Sequence, residues 1–167
     1  MFLPDDSPAP SFSMKAEVSQ RLISLETAAG ALLLIFHGYQ AVSAVAEITH
    51  AVRKSYPSKE QVLIAAVADL RIVPRMFRGP AKAIIRNAYH NAAEQIPDGQ
   101  NPADHIIILA DWKGSLFSAY QVPPTKGQVA LVLVNDSKVM SGTYMGDQPA
   151  RAALRMLENC LPADPTA

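Results

Sequence analysis

The feature that most constrains the fold is a pair of short, mainly apolar runs that flank an amphipathic segment. The runs occupy residues 31–36 and 61–70, and continuous apolar stretches of this length are typical of strands buried on both faces of a sheet. Between them, residues 41–55 carry apolar side chains at spacings of three and four and end in Arg53 and Lys54. Cations suit a helix C-terminus. The sequence therefore predicts a βαβ unit with parallel strands.

The rest of the chain extends this pattern into a mixed sheet. Periodicity and turn-forming residues predict two further helices, a third buried strand and an antiparallel hairpin. In chain order these are a helix at residues 80–95, a strand at 105–110, hairpin strands at 129–134 and 138–144, and a final helix at 149–161. Short edge strands or a turn are expected within residues 12–25. We therefore expect an α/β domain with helices flanking a mixed central β-sheet.

One domain accounts for the chain. Its 167 residues are close to the usual size of a single domain. The proline-rich start predicts an extended N-terminal arm over residues 1–11. We expect the domain to span residues 12–161 and a short C-terminal tail to occupy residues 162–167.

Composition limits the partners. The 15 basic and 15 acidic residues leave no overall field to hold a nucleic acid or an anionic membrane, so neither is expected as a partner. A low net charge also weakens repulsion between copies, which leaves a homodimer open. The single cysteine, Cys160, excludes an intramolecular disulfide and favours a cytoplasmic location.

Several short phrases occur in an order that resembles a known superfamily. Residues 9–14 (APSFSM) resemble the segment at the start of the domain in that superfamily. Residues 33–38 (LLIFHG) resemble the strand that leads into its active site. Later phrases lie at residues 111–114, 119–122, 135–139 and 144–146. In this order they resemble the thioredoxin-like superfamily, in its peroxiredoxin and thiol-disulfide oxidoreductase (redoxin) branch. The resemblance implies a thioredoxin-like fold.

The resemblance also implies where the reactive thiols would stand, and they are absent. In this superfamily a thiolate after the first central strand is activated by the N-terminus of the next helix. By resemblance, Gln40 and Ser43 occupy the two cysteine positions. Residues 125–129 (TKGQV) occupy the place of the cis-proline that faces them. Because two separate parts of the redox site are missing, we assign no catalytic residue and do not expect an oxidoreductase.

The turn after the first central strand is the first candidate for a binding site. His37, Tyr39, Gln40 and Ser43 offer hydrogen-bonding groups to a small ligand or a partner, and a histidine exchanges protons near neutral pH. The alternative interpretation is that Gln40 or Ser43 caps the following helix.

The second candidate site follows the second central strand. Arg71, Arg75 and Arg78 stand among apolar residues and suit an anion or a protein partner. Ligands of open α/β sheets collect at the carboxyl ends of the strands, which would place these arginines near the His37 turn. The alternative is a solvated face on which they pair with Asp69 and other carboxylates.

The third candidate site is the pair Asp111 and Trp112, where an aspartate leaves a buried strand beside the only tryptophan. The pair suits a ligand contact or an interface anchor, with packing and turn formation as the alternative.

No metal or cofactor is predicted. His50, His90 and His105 lack the short spacing of metal ligands, and residues 125–127 lack the setting of a phosphate-binding loop. Cys160, in the final predicted helix, is expected to be an inert apolar residue.

Three functional hypotheses follow. The first, which we favour, is a redox-inactive thioredoxin-like module that binds an unknown protein partner or small ligand. The second is an oxidoreductase of the peroxiredoxin or thioredoxin kind with a non-standard site built on His37, Tyr39 or Cys160. The third is a small-anion-binding protein that uses the arginines within residues 71–78.

Overall fold

The computed structural model describes residues 1–161, and the predicted tail at residues 162–167 lies outside the described residues. The strands are β1 (Ser13–Lys15), β2 (Leu22–Ser24), β3 (Ala31–His37), β4 (Val62–Asp69), β5 (Ile108–Asp111), β6 (Val129–Val134) and β7 (Met140–Met145). The helices are α1 (Val42–Ser55), α2 (Arg78–Ala93), α3 (Pro102–His105), α4 (Ser115–Ala119) and α5 (Pro149–Cys160). Within residues 1–161, no helix combines the length and apolar character needed to span a bilayer.

Five strands form one mixed sheet in the order β5-β4-β3-β6-β7. Strands β3, β4 and β5 are parallel, whereas β6 and β7 run antiparallel to their neighbours. The central strand, β3, is buried along its whole length, as its continuous apolar sequence predicts. The predicted α/β class, with a mixed sheet flanked by helices, is confirmed.

Alternate residues of β3 supply two apolar layers, because successive side chains of a strand point to opposite faces. Leu34 and Phe36 belong to the layer that contains α4 and the N-terminal strands. Leu33 and Ile35 belong to the layer that α1 and α5 cover. Apolar layers therefore cover β3 on both faces of the sheet.

The third parallel strand starts later than the sequence pattern predicts. A one-turn helix, α3, occupies the start of the predicted strand. Its formation has a local cause: Pro102 stands at the first helical position, and the Asn101 side chain accepts the Ala103 N–H at 3.1 Å. Such caps stabilise a helix start. Helix α4, which follows β5, was not predicted.

Helix α2 has a different environment from the one its sequence predicts. None of its 16 residues is buried, and Ile84, on the predicted apolar face, is 70% exposed. Lys82 forms an ion pair with Glu17 at 3.5 Å, which links the helix to the β1–β2 hairpin. Apolar and basic side chains of α2 therefore remain at the surface.

The N-terminal residues are fastened to the domain by backbone and side-chain contacts. The Asp6 N–H donates to the Met140 carbonyl at 2.8 Å, and Pro8 forms an isolated β-bridge with Val139. The buried Tyr120 hydroxyl donates to the Pro10 carbonyl at 3.0 Å. These contacts bring the N-terminal segment beside the start of β7.

Candidate functional site

Three neighbouring strands end at the same edge of the sheet. His37, at the end of β3, pairs in register with Ala68 of β4, and Asp69 pairs with Asp111 of β5. We call the residues that follow β3, β4 and β5 the carboxyl edge. All three candidate sites that the sequence indicates lie at this edge.

His37 is a buried ring at the centre of the carboxyl edge. It is 7% exposed, and its Nδ1 lies 3.0 Å from the Gly38 carbonyl oxygen. Because a carbonyl only accepts, Nδ1–H is the donor and Nε2 is the acceptor of the neutral ring. Burial lowers the pKa of His37 below 6.5, and the hydrogen bond to Gly38 offsets part of this effect. The ring is therefore neutral at pH 7.

The turn after His37 presents its side chains to solvent. Residues 39–41 form a 3-10 turn, and Tyr39 is 83% exposed. Gln40 and Ser43 are also exposed. The N-cap of α1 is Ala41, and no side chain caps that helix. The interpretation of Gln40 or Ser43 as a helix cap is therefore wrong.

The loop that takes the place of the cis-proline loop lies against this turn. Lys126 and Gly127 both have positive φ (48° and 86°), and the Gln128 N–H donates to the Thr125 carbonyl at 2.9 Å. Two central residues with positive φ are typical of a type I′ turn. The Gln40 Oε1 atom lies 3.1 Å from the position of a Cβ on Gly127. The structure thus brings together the two segments that the resemblance pairs.

Arg71 is paired within the protein. Its Nε and Nη2 donate to the two carboxylate oxygens of Asp69 at 2.8 and 2.7 Å, and its guanidinium lies 4.8 Å from the centroid of the Phe117 ring. The hydrogen bonds raise the pKa of Arg71 and lower the pKa of Asp69. Arg71 therefore pairs with Asp69, as in the alternative interpretation of this segment.

Arg75 and Arg78 have different environments. Arg75 is exposed in a 3-10 turn (Arg75–Phe77) that leads into α2. The Arg78 guanidinium lies 5.1 Å from the centroid of the half-buried Trp112 ring, a cation–π geometry. The Nε of Arg78 is buried and has no hydrogen-bond partner within residues 1–161. The stacked ring therefore limits the orientations of this guanidinium.

Asp111 has a structural role at the start of α4. Its carboxylate accepts N–H bonds from Ser115, Leu116 and Phe117 at 2.8, 2.9 and 3.2 Å, and the Ser115 hydroxyl at 3.1 Å. The residue is 1% exposed. Because the acceptors are occupied and covered, Asp111 positions α4 and does not face a ligand. These contacts agree with the alternative interpretation of Asp111, in which the residue forms a turn.

Exposed apolar side chains gather at the carboxyl edge, and Tyr39 is the one among them that the sequence analysis includes in its candidate sites. Tyr39 and Val42 follow β3, whereas Ile72, Met76 and Phe77 follow β4. We call these five residues the edge patch. Their exposed fractions range from 48% for Val42 to 85% for Ile72. The sequence does show them as apolar residues beside arginines, but it does not show that nothing within the domain covers them.

The potential metal ligands and the single thiol were located within residues 1–161. No group of three or more His, Cys, Asp or Glu side chains in this part of the chain could hold a metal ion. Cys160 is half-buried at the end of α5, a helix that packs on α1 and on the antiparallel half of the sheet. It is not part of the turn that carries Gln40 and Ser43.

Comparisons with known proteins define the fold. No family model and no curated protein matches the chain, but many solved structures do. The exposed lipoprotein thioredoxin of Streptococcus pneumoniae aligns with a TM-score of 0.62 at 14% identity, over 89% of this chain and 98% of that chain. StoA of Bacillus subtilis aligns with a TM-score of 0.59 at 16% identity, over 92% and 99%. A thioredoxin family thiol:disulfide interchange protein of Chlorobium tepidum aligns with a TM-score of 0.61 at 14% identity, over 93% and 99%.

The chain therefore has the thioredoxin-like fold that its sequence phrases predict. Its turn after β3 holds Gln40 and Ser43, and its single cysteine is Cys160. It is a thioredoxin-like domain without the cysteine pair.

Proposed function

We propose that the chain is a thioredoxin-like binding module that works without thiol chemistry and receives a protein partner at the carboxyl edge. The observation that carries the proposal is the edge patch. Within the described residues, five of the eight exposed large apolar side chains belong to it. Exposed apolar residues that gather at one place mark interaction surfaces more often than residues scattered singly do.

The position of the patch supports the proposal. Gln40, which lies between Tyr39 and Val42 in the sequence, has its Oε1 atom 3.1 Å from the Cβ position of Gly127 in the 125–129 loop. Ile72, Met76 and Phe77 extend the surface beyond the adjacent strand. Side chains at the carboxyl ends of parallel strands are the usual place for ligands in open α/β sheets. Aromatic residues and methionine are also enriched in the centres of protein interfaces.

The chemistry of the turn argues against an enzyme. A thiol nucleophile is replaced by the Gln40 amide and the Ser43 hydroxyl, and a serine needs a neighbouring base to become a nucleophile. His37 forms its one described hydrogen bond with Gly38 rather than with Ser43. No hydrogen bond joins His37 to a hydroxyl nucleophile within residues 1–161, whereas general-base catalysis needs such reach to the proton that is abstracted. Binding therefore accounts for the arrangement better than catalysis does.

A cytoplasmic location and a homodimer remain parts of the proposal. The single cysteine supports the location. Absence of a strong net charge supports self-association, which light scattering of the purified chain tests.

A crosslinking experiment tests the binding surface. We would place the photoreactive residue p-benzoylphenylalanine at position 39 in one variant and at position 76 in another, within the cells that make the protein. A matched control carries it at Ser137, which is exposed on the β6–β7 turn. That turn lies at the opposite edge, because β6 is antiparallel to β3 and its last residues pair with the start of β3.

The proposal predicts that one discrete protein is crosslinked from positions 39 and 76 and not from position 137. Mass spectrometry of the crosslinked band separates a second copy of this chain from a different partner. Equal crosslinking from all three positions, or none from positions 39 and 76, would contradict the proposal.

A further inference from the structure

We infer that the partner presents an acidic polypeptide segment with apolar side chains, bound along the carboxyl edge and the first turns of α2. This inference rests on the proposed function and adds the chemistry of the partner. The inference comes from the uneven distribution of charged residues along the chain, whose net charge is zero.

The charge is concentrated in one segment of the chain. Residues 70–93, which we call the basic segment, contain no Asp or Glu. Its five cations are Arg71, Arg75, Arg78, Lys82 and Arg86. Since the whole chain has 15 basic and 15 acidic residues, the remainder carries ten basic and fifteen acidic side chains. Asp69 and Glu17 pair with Arg71 and Lys82, so the three cations of the basic segment without a carboxylate partner within residues 1–161 are Arg75, Arg78 and Arg86.

Several of these cations are available to a partner. Arg75 and Arg86 are exposed and form no ion pair within residues 1–161. Arg78 is stacked on Trp112, whereas Arg71 and Lys82 pair with Asp69 and Glu17. Guanidinium groups bind carboxylates through two parallel hydrogen bonds. Carboxylates are therefore the groups best suited to this surface.

The same segment also presents apolar side chains. Met76 is 79% exposed and Phe77 is 54% exposed, and both lie between Arg75 and Arg78 in the sequence. Ile84, further along α2, is 70% exposed, and no residue of this helix is buried. A ligand that offered charge alone would leave these side chains in water. A segment with alternating acidic and apolar residues would cover both groups.

Two other occupants fit less well. A second copy bound through the same face would bring Arg75, Arg78 and Arg86 of one copy against the same three cations of the other, and like charges that face each other oppose association. An anionic bilayer would be attracted to the cations, but four of the five cations in the basic segment are arginines, and two of these are held over aromatic rings. Fixed guanidinium planes favour directional contacts with carboxylates. Arg, Tyr, Phe and Met are also enriched where proteins meet proteins.

Selection from a random peptide display library tests the inference on the full chain. Peptides that bind are expected to be enriched in Asp and Glu relative to the unselected library, and to contain aromatic or aliphatic residues. Changing their acidic residues to Asn and Gln should weaken binding by about tenfold or more. Added salt should weaken it as well, because surface charges are screened.

Variants of the protein assign the binding to the basic segment. The double variant Arg75→Gln/Arg86→Gln should bind the selected acidic peptides about tenfold more weakly. The matched control Arg151→Gln/Arg155→Gln removes two exposed arginines from α5 and should leave binding unchanged. Equal loss in both variants would show that only net charge matters and would overturn the inference.

Three other outcomes are decisive. Selection of uncharged or basic peptides that need Tyr39 and Met76 would overturn the inference and leave the proposed function standing. Acidic peptides that bind equally well to a Tyr39→Ser/Met76→Ser variant would contradict the proposed function instead. Capture of the protein by phosphatidylserine vesicles, with no peptide selected, would overturn the inference in favour of a membrane.

Discussion

The side-chain oxygen of Gln40 lies against Gly127, at 3.1 Å from the position that a Cβ would occupy there. This contact joins the turn that stands where the superfamily has its cysteines to the loop that stands where it has its cis-proline. By resemblance, Gln40 and Ser43 stand at the cysteine positions and residues 125–129 at the place of the cis-proline. The structure places these two segments next to each other.

The spacing of Gln40 and Ser43 predicts that a disulfide can be introduced between these two positions. In a Cys160→Ser background, the Gln40→Cys/Ser43→Cys variant should form an intramolecular disulfide on mild oxidation, because a three-residue separation at a helix start brings the two Cβ atoms close. Alkylation followed by intact mass measurement detects it. A Gln40→Cys/Ser55→Cys control places the thiols at opposite ends of α1, about 20 Å apart, and should stay reduced. A reduced Gln40→Cys/Ser43→Cys variant would show that the turn lacks the geometry described.

Asp111 should be important for stability rather than for binding. The Asp111→Ala variant leaves three backbone N–H groups of α4 without their acceptor, and we expect it to lower the free energy of unfolding by about 3 kcal/mol. Urea denaturation measures the change. The exposed turn residue Asp136 provides a control, since Asp136→Ala should cost less than about 0.5 kcal/mol. A stable Asp111→Ala variant that fails to bind partners would instead return Asp111 to the binding site.

Gly30 marks a close approach of two backbone segments. A Cβ at this position would collide with the carbonyl oxygens of Glu60 and Gln61, just before β3 and β4 begin to pair. Gly30→Ala should therefore destabilise the protein by about 1–3 kcal/mol. Asn87, which is exposed in the interior of α2, provides the control, since Asn87→Ala should leave stability unchanged or raise it by up to about 0.7 kcal/mol. Thermal melts of the two variants should move in opposite directions or, at the least, differ by several degrees; equal melts would contradict the close packing at Gly30.

His37 should make the stability depend on pH. Because burial lowers its folded-state pKa below 6.5, the unfolded state takes up a proton first as the pH falls. The contribution of the neutral His37 ring to the free energy of unfolding should therefore be present above the unfolded-state pKa of about 6.5 and be lost as the pH falls below that value, through the lower folded-state pKa. His105, whose pKa is also lowered by burial, contributes in the same direction. His37→Gln should reduce the slope, whereas His90→Gln, at an exposed site, should not; an unchanged slope in His37→Gln would contradict the buried, neutral ring.

The sequence predicted the centre of the fold better than its surface. The strand β3 and its partner β4 were predictable because burial on both faces leaves a continuous apolar run, and local periodicity records it. The start of β5 was not predictable, because Asn101 and Pro102 favour a helical turn at residues 102–105. The apolar run at 105–110 contains no sign of that turn. Within the site, the order of the matching sequence segments predicted that Gln40 and Ser43 lie in the turn after β3. The exposure of Met76 and Phe77 depends on whether distant segments cover them, and no local pattern contains that information.

We propose that this domain of thioredoxin-like fold has no thiol chemistry of its own. The most direct measurement is turnover of a protein disulfide and of hydrogen peroxide, in the presence of dithiothreitol, by the unmodified chain, the Cys160→Ser variant and the Gln40→Cys/Ser43→Cys variant. We predict rates for the unmodified chain and Cys160→Ser that equal the rate with dithiothreitol alone, and a higher disulfide reductase rate only after both cysteines are introduced. Turnover by the unmodified chain that disappears in Cys160→Ser would contradict the claim and assign the activity to α5.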